Sequence, residues 1–462
     1  MSTQQAESSP VQALGNGLVL RWSTPADIER ICQLTGYVFR GSADEPLNVR
    51  MMDQIRIALR GDFPFMQPTD FALIEDQSQA EQPLVACTCL MQHTWSYGGI
   101  RFGVGRPEFV ATLPDYRNRG LVRALFKAVH QRSEARGDLL QCITGIPYFY
   151  RQFGYEYVLD LGGSRTVYQH LLPEQKEGEV AKCTIRPATV TDIPTLMALC
   201  ARNSQQSLLS HEAPESYWRY LITYWDDPAI RQGDAWKIGI NDRPYMILDQ
   251  AGRICGYMTF SVLRWAKGLG VYDLVAAPEV NLQELLPALL HKLADYGRQS
   301  QAMRTNAPAF SEINFVLGRN HPVYALLGQE LAPKVDTPYA WYIRVPDMPA
   351  FLQRIAPVLE ERLRHSIFGA YTGAIKLDFY RSGLHLAFTE GKLVTAEAWR
   401  PPTYGDNANG GFPPLVFLQL LLGYRSLDEL CAHYPDVWAK PELEPLLNTL
   451  FPKQYSLVKP LA

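Results

Sequence analysis

Three arginines and a glycine crowd the junction of two patterns in "FVATLPDYRNRGLVRALF", Phe109 to Phe126. An apolar run suited to a strand, Phe109 to Leu113, stops at Pro114. A helical pattern begins at Gly120 and carries Leu121, Leu125 and Val129 on one face as far as Gly137. Glycine at a helix start lets main-chain N–H groups come close to a ligand. The unpaired N–H groups and the positive pole of a helix start favour phosphate. Arg117 and Arg119 precede the helix and Arg123 sits about one turn into it, so all three guanidinium groups can face one anion. The competing reading is a solvated basic loop. A second cluster follows, where the apolar "LLQCITGI" runs into "FYRQFGY", Phe149 to Tyr155. There Tyr150 could lend a phenolic proton, or pack as one of 24 tyrosines.

The rest of the chain must position these groups. At 462 residues, several domains are expected. With 47% hydrophobic and 20% charged residues, the composition suits ordinary globular packing. A formal net charge of −3 gives no reason to expect nucleic acid as a partner, so the arginine cluster needs a local explanation. The eight cysteines form no C-x-x-C pair, and Cys87 and Cys89 alternate within the apolar "PLVACTCLM". They are expected to be reduced thiols, with no metal site and no disulfide. The opening "MSTQQAESSPVQALGNG", residues 1–17, lacks a basic-then-apolar signal pattern and reads as a flexible tail. No apolar run reaches the roughly 18 residues needed to span a bilayer. The protein is therefore expected to be soluble and cytoplasmic.

The chain repeats itself. "LRWSTPADIERICQL" from Leu20 aligns with "TIRPATVTDIPTLMAL" from Thr184, pairing Arg21 with Arg186, Thr24 with Thr189, Asp27 with Asp192 and Ile28 with Ile193. The offset is 165 each time (186 − 21; 192 − 27). Thr24-x-x-Asp27 and Thr189-x-x-Asp192 predict helix caps, and Pro25 suits a first helical position. The same offset returns where Val110 and Ala111 are echoed by Val275 and Ala276. Two copies of one α/β domain follow, over residues 18–172 and 173–345. The second copy has no R-x-x-G. "EVNLQELLPALL" instead brings Glu279 and Glu284, which would repel a pyrophosphate, and "NHPVYALLGQEL" keeps only Tyr324-x-x-x-Gly328. Residues 346–462 form a third, α+β segment. It has a helix in "MPAFLQRIAPVLEERL", strands in "AIKLDFY", "LHLAFTE" and "LVTAEAW", a helix from Pro414 to Gly423, and a capping box at Ser426-x-x-Glu429.

The order of strand, R-x-x-G, helix, strand and F-Y-x-x-x-G-Y resembles the GNAT superfamily of N-acetyltransferases, with Val122 where a further Gly or Ala is usual. The whole layout resembles the enhanced intracellular survival (Eis) type of that superfamily: two tandem acetyltransferase domains, each a mixed sheet flanked by helices, then a sterol-carrier-like α+β domain. "VATLPDYRNRGLVRA", "YRQFGY" and "PPLVFLQLLLGYRSLDEL" carry the likeness. It implies acetyl-CoA as co-substrate and no metal. Val110, Ala111 and Thr112 would meet the pantetheine. Arg117, Arg119, Gly120, Leu121 and Arg123 would meet the pyrophosphate and nearby groups. Asn118 joins them, at a place where the family often has another arginine. Phe109 would line the acceptor pocket, Tyr150 would be the general acid, and the terminal carboxylate of Ala462 would reach the active site. A homo-oligomer is implied, hexamers being common in the family.

The expected reaction is direct acetyl transfer to a primary amine, such as a polyamine or an aminoglycoside. The family's acidic acceptor residues have no match in "YVFRGSADEP", where Asp44 and Glu45 are the nearest acids. Two alternatives stay open. A protein-lysine acetyltransferase would present an exposed, flatter groove. A non-catalytic acyl-CoA or lipid carrier would pair a large apolar cavity in the third domain with a closed first domain.

Overall fold

The computed structural model describes residues 11–174, 182–234, 240–400 and 408–461, and the architecture is mixed α/β with an α+β third segment. The first copy contributes strands β1 (Gln12–Gly15), β2 (Leu18–Trp22), β3 (Phe71–Asp76), β4 (Leu84–Tyr97), β5 (Ile100–Thr112), β6 (Leu140–Ile143) and β7 (Glu156–Leu161). Its helices are α1 (Ile28–Val38), α2 (Val49–Ala58) and α3 (Leu121–Ala135). The expectation of a flexible tail to residue 17 is corrected from Gln12 onward, and residues 1–10 lie outside the described residues. Gln12 and Ala13 pair antiparallel with Leu20 and Val19, and Gly15 with Leu18. The two residues left between them, Asn16-Gly17, are a strong short hairpin signal.

After β8 (Ser164–Tyr168), the second copy runs through β9 (Cys183–Pro187), β10 (Leu209–His211), β11 (Asp242–Asp249), β12 (Ile254–Ser261), β13 (Gly268–Ala276), β14 (Glu312–Phe315), β15 (Lys334–Asp336) and β16 (Tyr339–Arg344). Its helices are α4 (Ile193–Ser204), α5 (Glu215–Tyr224), α6 (Pro228–Arg231), α7 (Leu282–Gln299) and α8 (Val323–Leu331). The repeated residues repeat their bonds. Arg21 grips both oxygens of Asp27 at 2.8 and 2.7 Å, and Arg186 grips both of Asp192 at 2.7 and 2.8 Å. Each aspartate in turn accepts the backbone N–H of its threonine, Thr24 or Thr189, at 2.8 Å.

The boundaries expected between the copies divide the chain but not the sheets. One sheet runs β1-β2-β3-β4-β5-β6-β16-β7, and the other runs β15-β8-β14-β13-β12-β11-β9. Each copy thus lends its late strand, β8 or β16, to the interior of its neighbour's sheet. The reason is visible in β16. Ala340, Trp341, Tyr342 and Ile343 are all buried, so the strand is apolar on both faces and belongs between two others.

The third segment holds α9 (Met348–Arg364), then β17 (Gly373–Asp378), β18 (Gly383–Thr389) and β19 (Lys392–Trp399), with the short strands β20 (Gly410–Gly411) and β21 (Trp438–Ala439) extending the sheet. Its remaining helices are α10 (Phe417–Leu421), α11 (Leu427–His433) and α12 (Glu444–Leu450). The helix expected from Pro414 to Gly423 is shorter than the pattern suggests. Leu415 takes a positive φ of 72°, which no helix residue can hold, so regular structure starts only at Phe417. The Ser426–Glu429 capping box is present. Phe351 packs on Tyr97 and Phe102 with ring centroids 6.0 and 5.4 Å apart, so this segment shares its core with the first sheet. Beyond α12 the chain returns to the seam of the two copies, where Leu457 bridges to Ser210 and the Val458 carbonyl accepts from Trp341 Nε1 at 3.1 Å.

Candidate active site

The β4–β5 ladder is broken at one place. Cys87 opposes Ala111 while Cys89 opposes Glu108, so Phe109 and Val110 together face the single residue Thr88. Phe109 sits at a φ of +53°, unusual for a bulky residue and diagnostic of a bulge. On its other side β5 meets β6 only at Val104–Leu140 and Gly105–Gln141. The two parallel strands then part. Among the described residues, the edge of β5 turned toward β6 has no strand partner from Arg106 to Thr112, and the buried Thr112 hydroxyl has no hydrogen-bond partner. Val110, Ala111 and Thr112 therefore lie on an open strand edge that can bond an extended ligand.

At the mouth of this wedge the chain turns through Pro114–Tyr116 and enters α3. Gly120 is the cap residue, with a φ of +77° that a side chain would resist. Among the described residues no side chain caps this helix start, and the first helical bond is Ala124 N–H to the Gly120 carbonyl at 3.1 Å. The amides of Leu121, Val122 and Arg123 precede that ladder. Arg117, Asn118, Arg119 and Arg123 are exposed around it, while Leu121 is buried as an anchor. Arg119 lies over the Tyr116 ring at 4.7 Å and Arg123 over the Phe153 ring at 5.9 Å, which orients two of the guanidinium groups. The matching helix of the second copy is closed. Asn281 caps α7 by accepting from Gln283 N–H at 3.1 Å, and Glu284 lies against Asn281 at 3.0 Å.

Tyr150 stands across the wedge in the short turn Phe149–Phe153. Its ring is only 4% exposed and packs on Phe149, Phe126 and Tyr342 at 5.2, 5.7 and 6.3 Å. Its hydroxyl lies against Gly145, where a Cβ would come within 3.3 Å of it. Among the described residues this hydroxyl has no hydrogen-bond partner. Burial, with the Glu108 carboxylate adding to it, pushes the phenol above its ordinary range, so it stays protonated and can donate. The echo in the second copy has lost that freedom. Tyr324 donates to the Phe315 carbonyl at 2.7 Å and accepts from Leu317 N–H at 3.1 Å.

The structure adds residues that the motifs did not single out. Glu108, just before the bulge, accepts from Thr144 Oγ1 at 2.9 Å and from Arg106 at 3.1 Å. Arg106 is 6% exposed and rests on the ring of Trp341, from the exchanged strand β16, at 5.1 Å. A carboxylate and a neutral phenol thus flank the opening between β5 and β6. One signal could have found Glu108: the residue 165 further on is Asp273, also an acid (273 − 108).

Phe109 lines a cavity of 150 Å³ together with Met91, Phe63, Tyr217, Tyr220 and Asp242, so α5 of the second copy closes over the bulge. Leu461, 4% exposed, packs in the same core as Ala111 and Phe109. Ala462 lies outside the described residues. Two residues before Leu461, the Lys459 ammonium pairs with Asp273 of β13, and Lys459 N–H donates to His211 Nδ1 at 3.1 Å.

Residues 20–158 match the family model described as an acetyltransferase (GNAT) domain. The match makes the chain an acyltransferase, on a fold that takes its acyl group from a coenzyme A thioester. A GCN5-related N-acetyltransferase from Kribbella flavida superposes with a TM-score of 0.64 at 19% identity, covering 96% of this chain and 99% of that one. A probable N-acyltransferase from Enterococcus faecalis gives 0.64 at 13% identity, over 96% and 99%. Eis1 from Mycobacterium abscessus gives 0.58 at 14% identity, over 95% and 99%. At such identities the likeness is one of fold, and it extends into the third segment. A search of curated protein sequences found no match. Among the described residues no helix is long and apolar enough to cross a membrane.

Proposed function

We propose that this acyltransferase moves an acetyl group from acetyl-CoA directly to a primary amine of a small molecule. One observation carries the reading: among the described residues, the first copy alone combines an open strand edge, an uncapped helix start ringed by arginines and an unpartnered phenol. Val110, Ala111 and Thr112 would bond the pantetheine. The amides after Gly120, with Arg117, Asn118, Arg119 and Arg123, would hold the pyrophosphate. The amine gives up its proton, with the Glu108 carboxylate as acceptor, and its nitrogen attacks the thioester carbonyl. The C–S bond breaks, and Tyr150 protonates the departing thiolate.

The cavity at Phe109, only 150 Å³ and walled by Phe63, Tyr217 and Tyr220, favours a small amine over a protein lysine, which would need a flatter groove. The open wedge speaks against a purely carrier role for the first copy. Residues 346–462 are read as a sterol-carrier-like domain and the protein as a homo-oligomer, both on the family resemblance of "PPLVFLQLLLGYRSLDEL" and the motifs before it. Thiol release from acetyl-CoA against a panel of primary amines tests the reaction. Stoichiometric CoA binding with no thiol release for any amine would sink it.

A further inference from the structure

A cleft of 480 Å³ opens where all three parts of the chain meet, and it shares no residue with the wedge between β5 and β6. Asp160 of β7, Arg319 from the loop after β14, Arg425 from the turn after α10, Glu429 of α11 and Lys453 of the returning tail surround it. Gly423, at a φ of +70°, ends the α10 turn and lets the tail come close, so that Gln454 N–H donates to its carbonyl at 3.0 Å. The amides of Tyr424 and Arg425 then both donate to the Gln419 carbonyl, at 2.9 and 3.0 Å, which fixes the Arg425 backbone at the cleft wall. Donors outnumber acceptors here. Asp160 is taken by Arg319 Nε and by the Tyr157 hydroxyl, each at 2.8 Å. Glu429 is taken by the Lys453 ammonium at 2.6 Å and by Ser426 N–H at 2.9 Å, and these two, with Arg425 further off, hold its carboxyl below the ordinary range. Arg425 itself is half-buried over the Tyr424 ring at 5.9 Å, and among the described residues no hydrogen bond or ion pair takes up its guanidinium. Among the same residues Arg319 spends only Nε and Lys453 one N–H, so both keep further donors. Three Lys and Arg side chains thus meet two carboxylates, on a chain whose formal net charge is −3. A half-buried guanidinium without an acceptor is costly unless something supplies one.

We infer that this cleft binds a phosphate group, free or carried on a small organic ester, clasped by Arg425, Lys453 and Arg319. Phosphate suits it better than a single carboxylate does. Three cations can share its oxygens, and the planar fork of Arg425 can take two of them. The occupant touches all three parts of the chain at once and braces the tail. The next tail residues are already stitched to β10, where Leu209 N–H donates to Ser456 Oγ at 3.0 Å and Leu457 N–H to the Leu209 carbonyl at 3.2 Å. Leu461 then enters the core around Phe109. The site stands apart from the transferase reading, since none of its residues is given there to the coenzyme or the acceptor.

Calorimetry on the full chain, saturated with CoA so that the helix start at Gly120 is filled, tests the site with inorganic phosphate and glycerol 3-phosphate as probes. The unaltered protein should bind one or both about tenfold or more tightly than acetate, which brings a single carboxylate. Arg425→Gln removes the charge and should lower that affinity by about tenfold or more, with CoA affinity unchanged. Tighter binding of the ester would name an organic ligand, equal or tighter binding of the free ion would name phosphate itself, and either supports the site. No preference for phosphate over acetate, measured on the unaltered protein and so free of folding doubts, overturns the inference. So does an Arg425→Gln protein that keeps the preference. Hydrogen exchange gives an independent reading. The bound probe should slow exchange at the Gln454 and Leu457 amides, and unchanged rates at both would place the anion outside the cleft and overturn the inference as well.

Discussion

Glu108 and Asp273 stand at matching places in the two copies, 165 residues apart, and are held by opposite means (273 − 108). Asp273 is neutralised by the chain itself, by the Lys459 ammonium and by the Tyr257 hydroxyl at 2.7 Å. Burial works to raise its carboxyl, yet Lys459, the Tyr257 hydroxyl and His321 together hold it below the ordinary range. Glu108 is steadied by Thr144 and Arg106 and faces the gap between β5 and β6. The returning chain pairs with the acid of one copy and leaves that of the other to Thr144 and Arg106.

One CoA per chain is expected by calorimetry, because Asn281 closes the second helix start. Replacing Arg117 and Arg119 together by Ala should weaken CoA by about tenfold or more, since charge-assisted bonds contribute about 1.5–3 kcal/mol each before solvent screening reduces them. Two equivalent sites, or an unchanged affinity, would return the arginines to an ordinary basic surface.

Tyr150→Phe keeps the ring on Phe126 and removes only the proton donor. CoA affinity should hold while turnover falls by about tenfold or more. A matching fall in CoA affinity would mean that the ring had moved.

Glu108→Gln preserves an acceptor for Thr144 and Arg106 but loses the proton-accepting charge. Turnover should fall by about 10² or more while CoA affinity holds. Unchanged turnover would give the proton-accepting role to another group.

Acid should loosen the anchored tail. Burial pushes the His211 imidazole down to about 3, and its Nδ1 accepts Lys459 N–H. The unfolded residue takes a proton below about pH 6.5, and the folded one resists until far lower. The contribution is thus complete above about pH 6.5 and declines as pH falls toward 3. His211→Asn retains an acceptor without a titrating group. Urea unfolding at pH 7.5 and pH 5 should show a smaller acid loss in the variant, and equal losses would exclude His211 as a cause. His130, also pushed down by burial to about 3, should add to the same window.

Local chemistry could be read from the chain, and long-range pairing could not. Arg21, Asp27, Arg186 and Asp192 recur at one offset and form the same ion pair, so the duplication was visible residue by residue. The R-x-x-G junction could be read because a helix start and its arginines lie within a few residues of each other. The bulge at Phe109 gave no such sign, since a phenylalanine at positive φ is held by its surroundings rather than by its own preference. Tyr150 stood out within its motif, but its setting depends on Tyr342 of β16, nearly two hundred residues away. Asp242 had no motif around it, because the cavity it faces is built from both copies.

The exchange of β8 and β16 makes the two copies inseparable. Trp341 under Arg106 and Tyr342 beside Tyr150 are both supplied by the second copy. A fragment ending before Tyr339 would have a gap in the middle of its sheet, between β6 and β7, at the wall of the site. The first copy's site therefore depends on the second copy's folding. A substitution that destabilises the second copy far from any ligand is expected to silence the first copy, and both should melt in one transition.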